Sequence, residues 1–502
     1  HISSIAEGPP RVVWNHKMAL SLARHNALRA TAAPVLRRTA WGAPDLSQVP
    51  GVPLNVPLYD EPAQAAPEGL VPTPQTQVTV MANGLKVVSQ GHTSAVATVG
   101  VVVNAGSRFE TPANAGTSYM LQLLAFTSTG SRSHFKMVRD LETMNAQTAA
   151  TAGREQMIYS ATALKPHAKD LVEVLAETTL EGNFVEWELA EKKAYYANDI
   201  ADLASNPLQF VTEKAHTAGY SGSSLGSPLM CSAKGLANLT PDVLGSFMET
   251  YYTPSNMVLA AAGLDHDELV KAAESAFGTV PAGKAPPPPP KAQYTGGEYR
   301  EVVDSDITQF GLAFEGVGWM DPDFVPVCVL NMLMGGGASF SAGGPGKGMF
   351  SRLYVNVLNK HAYALNAATS NAVHSDSGLF LVHGTAPASH VGALASVLVE
   401  EMAAMGGKPF QADEVLRAKN QLKSSLHMNL ESSGILFEDL GRQVATYGKR
   451  INPDELCKQI DAVTPEKLSE VAKRILKSPP TVVVHGDITA VPSYPIIAKN
   501  LS

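Results

Sequence analysis

The feature that most constrains this chain is a repeated ending. Thr240-Pro241-Asp242-Val243-Leu244 leads through a helical pattern to an apolar strand and Gly263. Thr464-Pro465-Glu466-Lys467-Leu468 leads the same way to Gly486. The offsets are 224 residues for the threonine and the leucine and 223 for the glycine, while Phe184 and Glu188 recur as Phe410 and Glu414 at 226. Each Thr-Pro pair suits a helix start, with threonine as N-cap and proline at the first helical position. Several matches at nearly one offset predict a duplicated unit of about 220 residues rather than unrelated domains. A chain of 502 residues has room for two such units and a leader.

The first unit predicts a hairpin, strands 77–81 and 85–89 about Asn83-Gly84, with positive φ tolerated at both central positions. Strands are expected at 96–103, 157–164 and 255–262, and helices at about 115–128, 167–180, 185–203 and 240–252. This is α+β: two tandem homologous α/β-sandwich domains, each an antiparallel-rich sheet packed on helices. The boundaries are 1–44, a basic targeting-like segment; 45–75, a Pro-rich connector; 76–280, the first domain; 281–295, a Pro-rich linker with five consecutive prolines acting as a semi-rigid spacer and hinge; and 296–502, the second domain.

Charge is divided unevenly. Residues 1–44 carry six basic groups against Glu7, a net of +5, which leaves −13 of the overall −8 to residues 45–502. From Met18 to Trp41 there are arginines, alanines and leucines and no acid, the composition of a mitochondrial transit peptide. The acidic remainder argues against nucleic acid as a partner. There is no run of about 18 apolar residues, so membrane association is expected only through partners. Cys231, Cys328 and Cys457 are too scattered for a disulfide framework or a cysteine zinc site.

Two segments carry the chemistry. Asn104-Ala105-Gly106-Ser107-Arg108-Phe109-Glu110, with the apolar helix that follows Gly116, resembles the insulinase-like metallopeptidase family, and the resemblance implies that family's fold. In catalytic members this helix bears His-x-x-Glu-His: histidines at i and i+4 share one face and grip zinc, while the glutamate polarises the bound water. Matching Gly116 and Phe126 puts Tyr119 and Leu123 at the histidine positions, Gln122 at the glutamate and Asp199 at or near the third ligand. Leucine cannot bind zinc and glutamine cannot take a proton from water. The helix therefore reads as buried core, Asp199 as a surface carboxylate, and the chain as having no catalytic residues, metal or cofactor of its own. Gly222-Ser223-Ser224-Leu225-Gly226 matches a serine-hydrolase elbow but lacks the preceding strand and following helix, so it reads as a loop.

The second segment is glycine-rich, residues 335–348, seven glycines between a helix ending near Met334 and one starting near Met349. It cannot be a phosphate loop, because Ser341 and Gly348 stand where that motif needs glycine and Ser/Thr. Glycines make it a flexible contact loop, with Gly335, Gly336, Gly337, Ser339, Phe340, Ser341, Gly343, Gly344, Gly346, Lys347, Gly348 and Met349 as candidate substrate-binding residues. The run, with Ala338 where a glycine is usual, is similar to the non-catalytic subunit of the family's heterodimeric presequence-processing branch. That resemblance implies a zinc-bearing beta subunit as partner, basic presequence peptides as ligands, and a mitochondrial location on the matrix side of the inner membrane. It also implies contacts with other cytochrome bc1 subunits as a core protein, or, alternatively, a purely structural core role. An independent zinc peptidase is the reading the motif opposes.

Overall fold

The computed structural model describes residues 75–91, 94–336 and 349–501, all within one unit spanning Thr73–Ser502. The segments 1–44 and 45–74 and most of the glycine run lie outside the described residues. In the first half the order is β1 (Gln77–Val80), β2 (Lys86–Gln90), β3 (Val96–Val103), α1 (Thr117–Leu123), α2 (His134–Thr143), β4 (Gln147–Ala152), β5 (Met157–Leu164), α3 (Ala168–Leu180), α4 (Glu186–Asp202), α5 (Pro207–Gly219), α6 (Pro241–Tyr251), β6 (Met257–Ala262) and α7 (His266–Phe277). The second half runs β7 (Gly297–Val302), β8 (Ile307–Glu315), α8 (Phe324–Met334), β9 (Asn366–Val373), β10 (Gly378–Pro387), α9 (Val391–Gly407), α10 (Ala412–Leu430), α11 (Ser433–Tyr447), α12 (Pro453–Asp461), α13 (Pro465–Leu476), β11 (Thr481–Gly486) and α14 (Tyr494–Leu501).

The duplication is visible in the sheets. One has the order β1-β2-β6-β3-β5-β4, the other β7-β11-β8-β10-β9, and from β2 and β7 onward the two match strand for strand. Each has one parallel pair, β2 with β6 and β7 with β11, and is otherwise antiparallel. The repeated Thr-Pro pairs cap equivalent helices: Thr240 Oγ1 accepts from Val243 N at 3.4 Å, and Thr464 Oγ1 from Lys467 N at 3.2 Å. The repeated glutamates also hold equivalent segments, Glu188 the Ser128 hydroxyl at 2.5 Å and Glu414 the Arg352 guanidinium at 2.6 Å. The hairpin differs from expectation at its turn. Only Gly84 takes a positive φ, +87°, while Asn83 donates its amide to the carbonyls of Phe277, the last residue of α7, and Val280 just beyond it.

Each sheet is covered on one face by helices of its own half and on the other by a helix of the opposite half. In α11 the side chains of Leu436, Phe437, Leu440 and Val444 lie on Val88, Val102, Ile158 and Val258 of the first sheet. In α5, Phe210, Val211 and Ala215 lie on Ala313, Leu379, Leu381 and Val483 of the second. Two-sided burial explains why β3 reads Val-Ala-Thr-Val-Gly-Val-Val-Val with hardly a polar residue. The crossing helices approach so closely that the strands beneath carry glycine. A Cβ on Gly100 would overlap Phe437, and one on Gly311 would overlap Val211. These are equivalent pairs, 211 residues apart on the strands and 226 on the helices.

A polar seam joins the halves beside this packing. Arg108, its side chain 1% exposed, reaches Glu155 at 2.5 Å and both oxygens of Asp376 at 2.8 Å. It also donates to the Pro290 carbonyl and to Ser224 Oγ. The Pro-rich linker is thus bound at its end: Pro290 O accepts from Arg108 and Ser224, and Ala292 N donates to Asp376. The serine of the elbow-like motif is occupied with these contacts, within a short 3₁₀ turn. Nearby, the buried His216 Nδ1–H donates to Thr212 O at 2.7 Å, leaving Nε2 to accept from His374 Nε2–H of the other half at 3.0 Å. Burial, with Arg154 close by, pushes His216 well below its ordinary pKa and His374 down to about 3, so both are neutral.

Gly311→Val and Gly100→Val should each cost about 1–3 kcal/mol through overpacking under the exchanged helix. Gly245→Ala, at an α6 position with open space around it, should be neutral or stabilising by up to about 1 kcal/mol; urea midpoints measure all three. The histidine pair predicts acid sensitivity. Protons bind the unfolded imidazoles near pH 6.5 but not the folded ones, so stability should fall as pH drops from 6.5 toward 3, by up to about 1.4 kcal/mol per pH unit for each histidine. Denaturation series between pH 7.5 and 5 should show that slope, and His374→Asn should reduce it.

Candidate functional site

The segment that resembles a metal centre is built from α1, α4 and the edge strand β4. The chain leaves β3 at Val103, passes Arg108 in the seam and reaches Glu110, whose carboxylate accepts from Gly116 N at 2.7 Å and Ser118 N at 2.6 Å. It therefore satisfies the free amides that open α1. Burial raises the pKa of this carboxyl above its ordinary value against those hydrogen bonds. Gly116 precedes the helix with φ +88°, and a side chain there would press on Tyr196 and Cys231. Helix α1 ends at Leu123 rather than continuing to 128, because Phe126 turns the chain with φ +58°.

On α1 and at its C-cap, Met120, Leu121 and Leu124 are buried, whereas Tyr119, Gln122 and Leu123 are half-buried. The helix is thus not core all round: the three motif positions share its more open side. Tyr119 Oη–H donates to Asp199 Oδ2 at 2.9 Å, across 80 residues of sequence. Asp199 is accordingly not a plain surface carboxylate; it is half-buried on α4 and engaged with the tyrosine. Burial, then the carboxylate beside it, holds the Tyr119 phenol above its ordinary pKa, so it keeps its proton. The Tyr119 ring packs edge-on to Tyr196, with centroids 4.9 Å apart. Gln122 Oε1 accepts from Ala152 N of β4 at 2.6 Å, and Leu123 packs against the first core.

Tyr119 and Asp199 are brought together, and Gln122 and Leu123 lie on the same side of α1, yet the donor set does not suit a metal. One position has no donor atom, one is a protonated phenol, and the glutamine oxygen already holds a strand amide. Among the described residues, no group of three or more His, Cys, Asp or Glu is arranged to hold a metal ion. Arg108, Glu110 and Asp376 also shape the site, with little to mark them in the sequence. A lone arginine within an apolar-flanked Gly-Ser-Arg-Phe-Glu stretch was the available signal for the first two; nothing local marks Asp376.

Of the glycine-run residues, Gly335, Gly336 and Met349 are described, whereas Gly337, Ser339, Phe340, Ser341, Gly343, Gly344, Gly346, Lys347 and Gly348 lie outside the described residues. The run starts from a fixed root. Gly335 N and Gly336 N both donate to Asn331 O, at 3.0 and 2.7 Å, and Thr369 Oγ1 of the edge strand β9 donates to the same carbonyl at 3.0 Å. A Cβ on Gly336 would overlap Asn331. At the other end, Met349 and Phe350 form a turn, and no helix begins at Met349. Ser351 Oγ accepts from Tyr354 N, and a short wide-turn segment follows at Tyr354–Leu358. Phe350 is exposed, with the Arg417 guanidinium 5.9 Å from its ring centroid.

Comparison with known proteins agrees with this architecture. A family model described as "Insulinase (Peptidase family M16)" matches residues 86–233, and one described as "Peptidase M16 inactive domain" matches residues 238–422. The chain is similar to the mitochondrial-processing peptidase subunit alpha of Solanum tuberosum, 39% identical over 452 residues, 89% of each chain. It is similar to the human subunit of the same name, 35% identical over 511 residues, 96% of this chain and 97% of that one. Among solved structures, a protease from Helicobacter pylori matches with a TM-score of 0.72 over 82% of this chain and 99% of that chain, at 20% identity, a likeness of fold alone.

Proposed function

This chain belongs to the insulinase (M16) peptidase family, and on that premise we propose that it is the non-catalytic, substrate-recognition subunit of a mitochondrial processing peptidase. The observation that carries the reading is a pairing within one chain: a glycine run on a fixed root in the second half, and Tyr119, Gln122 and Leu123 in place of metal-binding chemistry in the first. The names of the relatives support the alpha-subunit assignment and a mitochondrial location. The matched "inactive domain" spans residues 238–422 and does not include α1, so at α1 the reading rests on those three side chains.

In this reading the chain works by binding and orientation. Residues 45–502 carry a net charge of −13, which attracts basic peptides within a Debye length of about 8–10 Å. The run 335–348 costs little to reshape around unrelated sequences, and Phe340 offers an apolar contact for their leucines. Lys347, a cation that a basic ligand would disfavour, is assigned to a peptide carbonyl. The beta partner supplies the zinc and the hydrolytic step; this chain holds the presequence in register for it. The heterodimer sits on the matrix side of the inner membrane and also serves as a core component of the cytochrome bc1 complex, with membrane contact made through its partners.

Deleting residues 337–348 and closing the gap with a short Gly-Ser bridge tests this in the reconstituted heterodimer. Processing of a presequence peptide should fall at least about tenfold in kcat/KM, equivalent to about 1.4 kcal/mol of transition-state stabilisation, while the zinc content of the pair is unchanged. Full processing by the deletion variant would leave only a structural core role.

A further inference from the structure

The place where catalytic relatives hold a metal is bridged in this chain by Tyr119 and Asp199. A metal with ligands on two helices does two things: it activates water and it joins the helices. The residues present here cannot provide the first. Leu123 has no donor, Tyr119 retains its proton beside a carboxylate, and Gln122 is committed to the amide of Ala152.

We infer that a hydrogen bond has taken over the second role: Tyr119 Oη–H to Asp199 Oδ2 is the tie that fastens α1 to α4 in place of the metal. Three observations converge on it. Positions 119 and 199 meet at 2.9 Å although they are 80 residues apart, so the two ligand-equivalent positions still face each other. The tie is charge-assisted and only half-exposed, the setting in which a neutral donor to a carboxylate is strong. The phenol is longer than an imidazole, and it spans the gap while its ring rests edge-on against Tyr196, which in turn accepts from Cys231 N at 2.8 Å. The chain of contacts runs from α1 through two tyrosines to the segment after α5 without needing an ion.

The inference rests on the non-catalytic reading of this chain but not on its substrate, so its test reads stability and protection rather than processing. In the full-length chain, Tyr119→Phe keeps the ring packing and removes the donor. Asp199→Ala removes the acceptor, whereas Asp199→Asn retains an oxygen that can accept from the phenol. Tyr119→Phe and Asp199→Ala should lower the thermal midpoint by about 1–2 °C and speed hydrogen exchange in 117–123 and 186–202 by about 5–30-fold. Asp199→Asn should retain at least half of both, and EDTA should leave the wild-type midpoint unchanged. Equal damage from Asp199→Asn and Asp199→Ala, unchanged exchange in Tyr119→Phe, an EDTA-sensitive midpoint, or stoichiometric zinc in the purified chain would each overturn it.

Discussion

Everything in this molecule depends on the exchange of one helix between its halves. α5 of the first half lies on the second sheet, and α11 of the second half lies on the first. A sheet whose strands are apolar on both faces cannot leave either face in water without losing about 25 cal/mol per Å² of exposed apolar surface. On that side each sheet is covered by the helix of the other half. The glycines at 100 and 311 let the exchanged helices settle to contact distance. Duplication and mutual dependence thus arise from one arrangement, and they fix the two halves in a single relative position.

That fixed position sets up the rest. The polar seam around Arg108 forms where the exchanged helices bring the hairpin at Glu155 against the hairpin at Asp376, and it anchors the end of the proline linker. Two residues beyond Arg108, Glu110 opens α1, so the metal-like helix is held from the seam side by covalent continuity and from the far side by α4. The glycine run emerges from a root made by Asn331 and by Thr369 on an edge strand.

Much of the fold was legible in the chain. The offsets near 224, the Thr-Pro caps and the strands 96–103 and 157–164 are local or periodic signals, and each corresponds to an element with the same or nearly the same bounds. The helix exchange was not legible. A run such as Val-Gly-Val-Val-Val says that a strand is covered on both faces, but nothing in it says which helix does the covering. Asn83 reads as a turn residue, and its amide contacts with Phe277 and Val280 depend on a helix nearly 200 residues away. At the candidate site the missing chemistry was plain from Leu123 and Gln122. The pairing of Tyr119 with Asp199 was hidden, because a carboxylate on a helix is usually solvated and only the fold supplies its partner. Arg108 was within view yet unread: a buried arginine is recognised by its acceptors, and Glu155 and Asp376 lie 47 and 268 residues from it.

As proposed, this chain is a binding subunit whose chemistry resides elsewhere. The most direct measurement is a fluorescence-anisotropy titration of a labelled basic, amphipathic presequence peptide with the full-length chain alone, at low and at physiological salt, followed by mass analysis of the peptide. The account predicts saturable binding that weakens as salt rises and a peptide recovered intact. No saturable binding, or cleavage of the peptide by the chain without a partner, would contradict it.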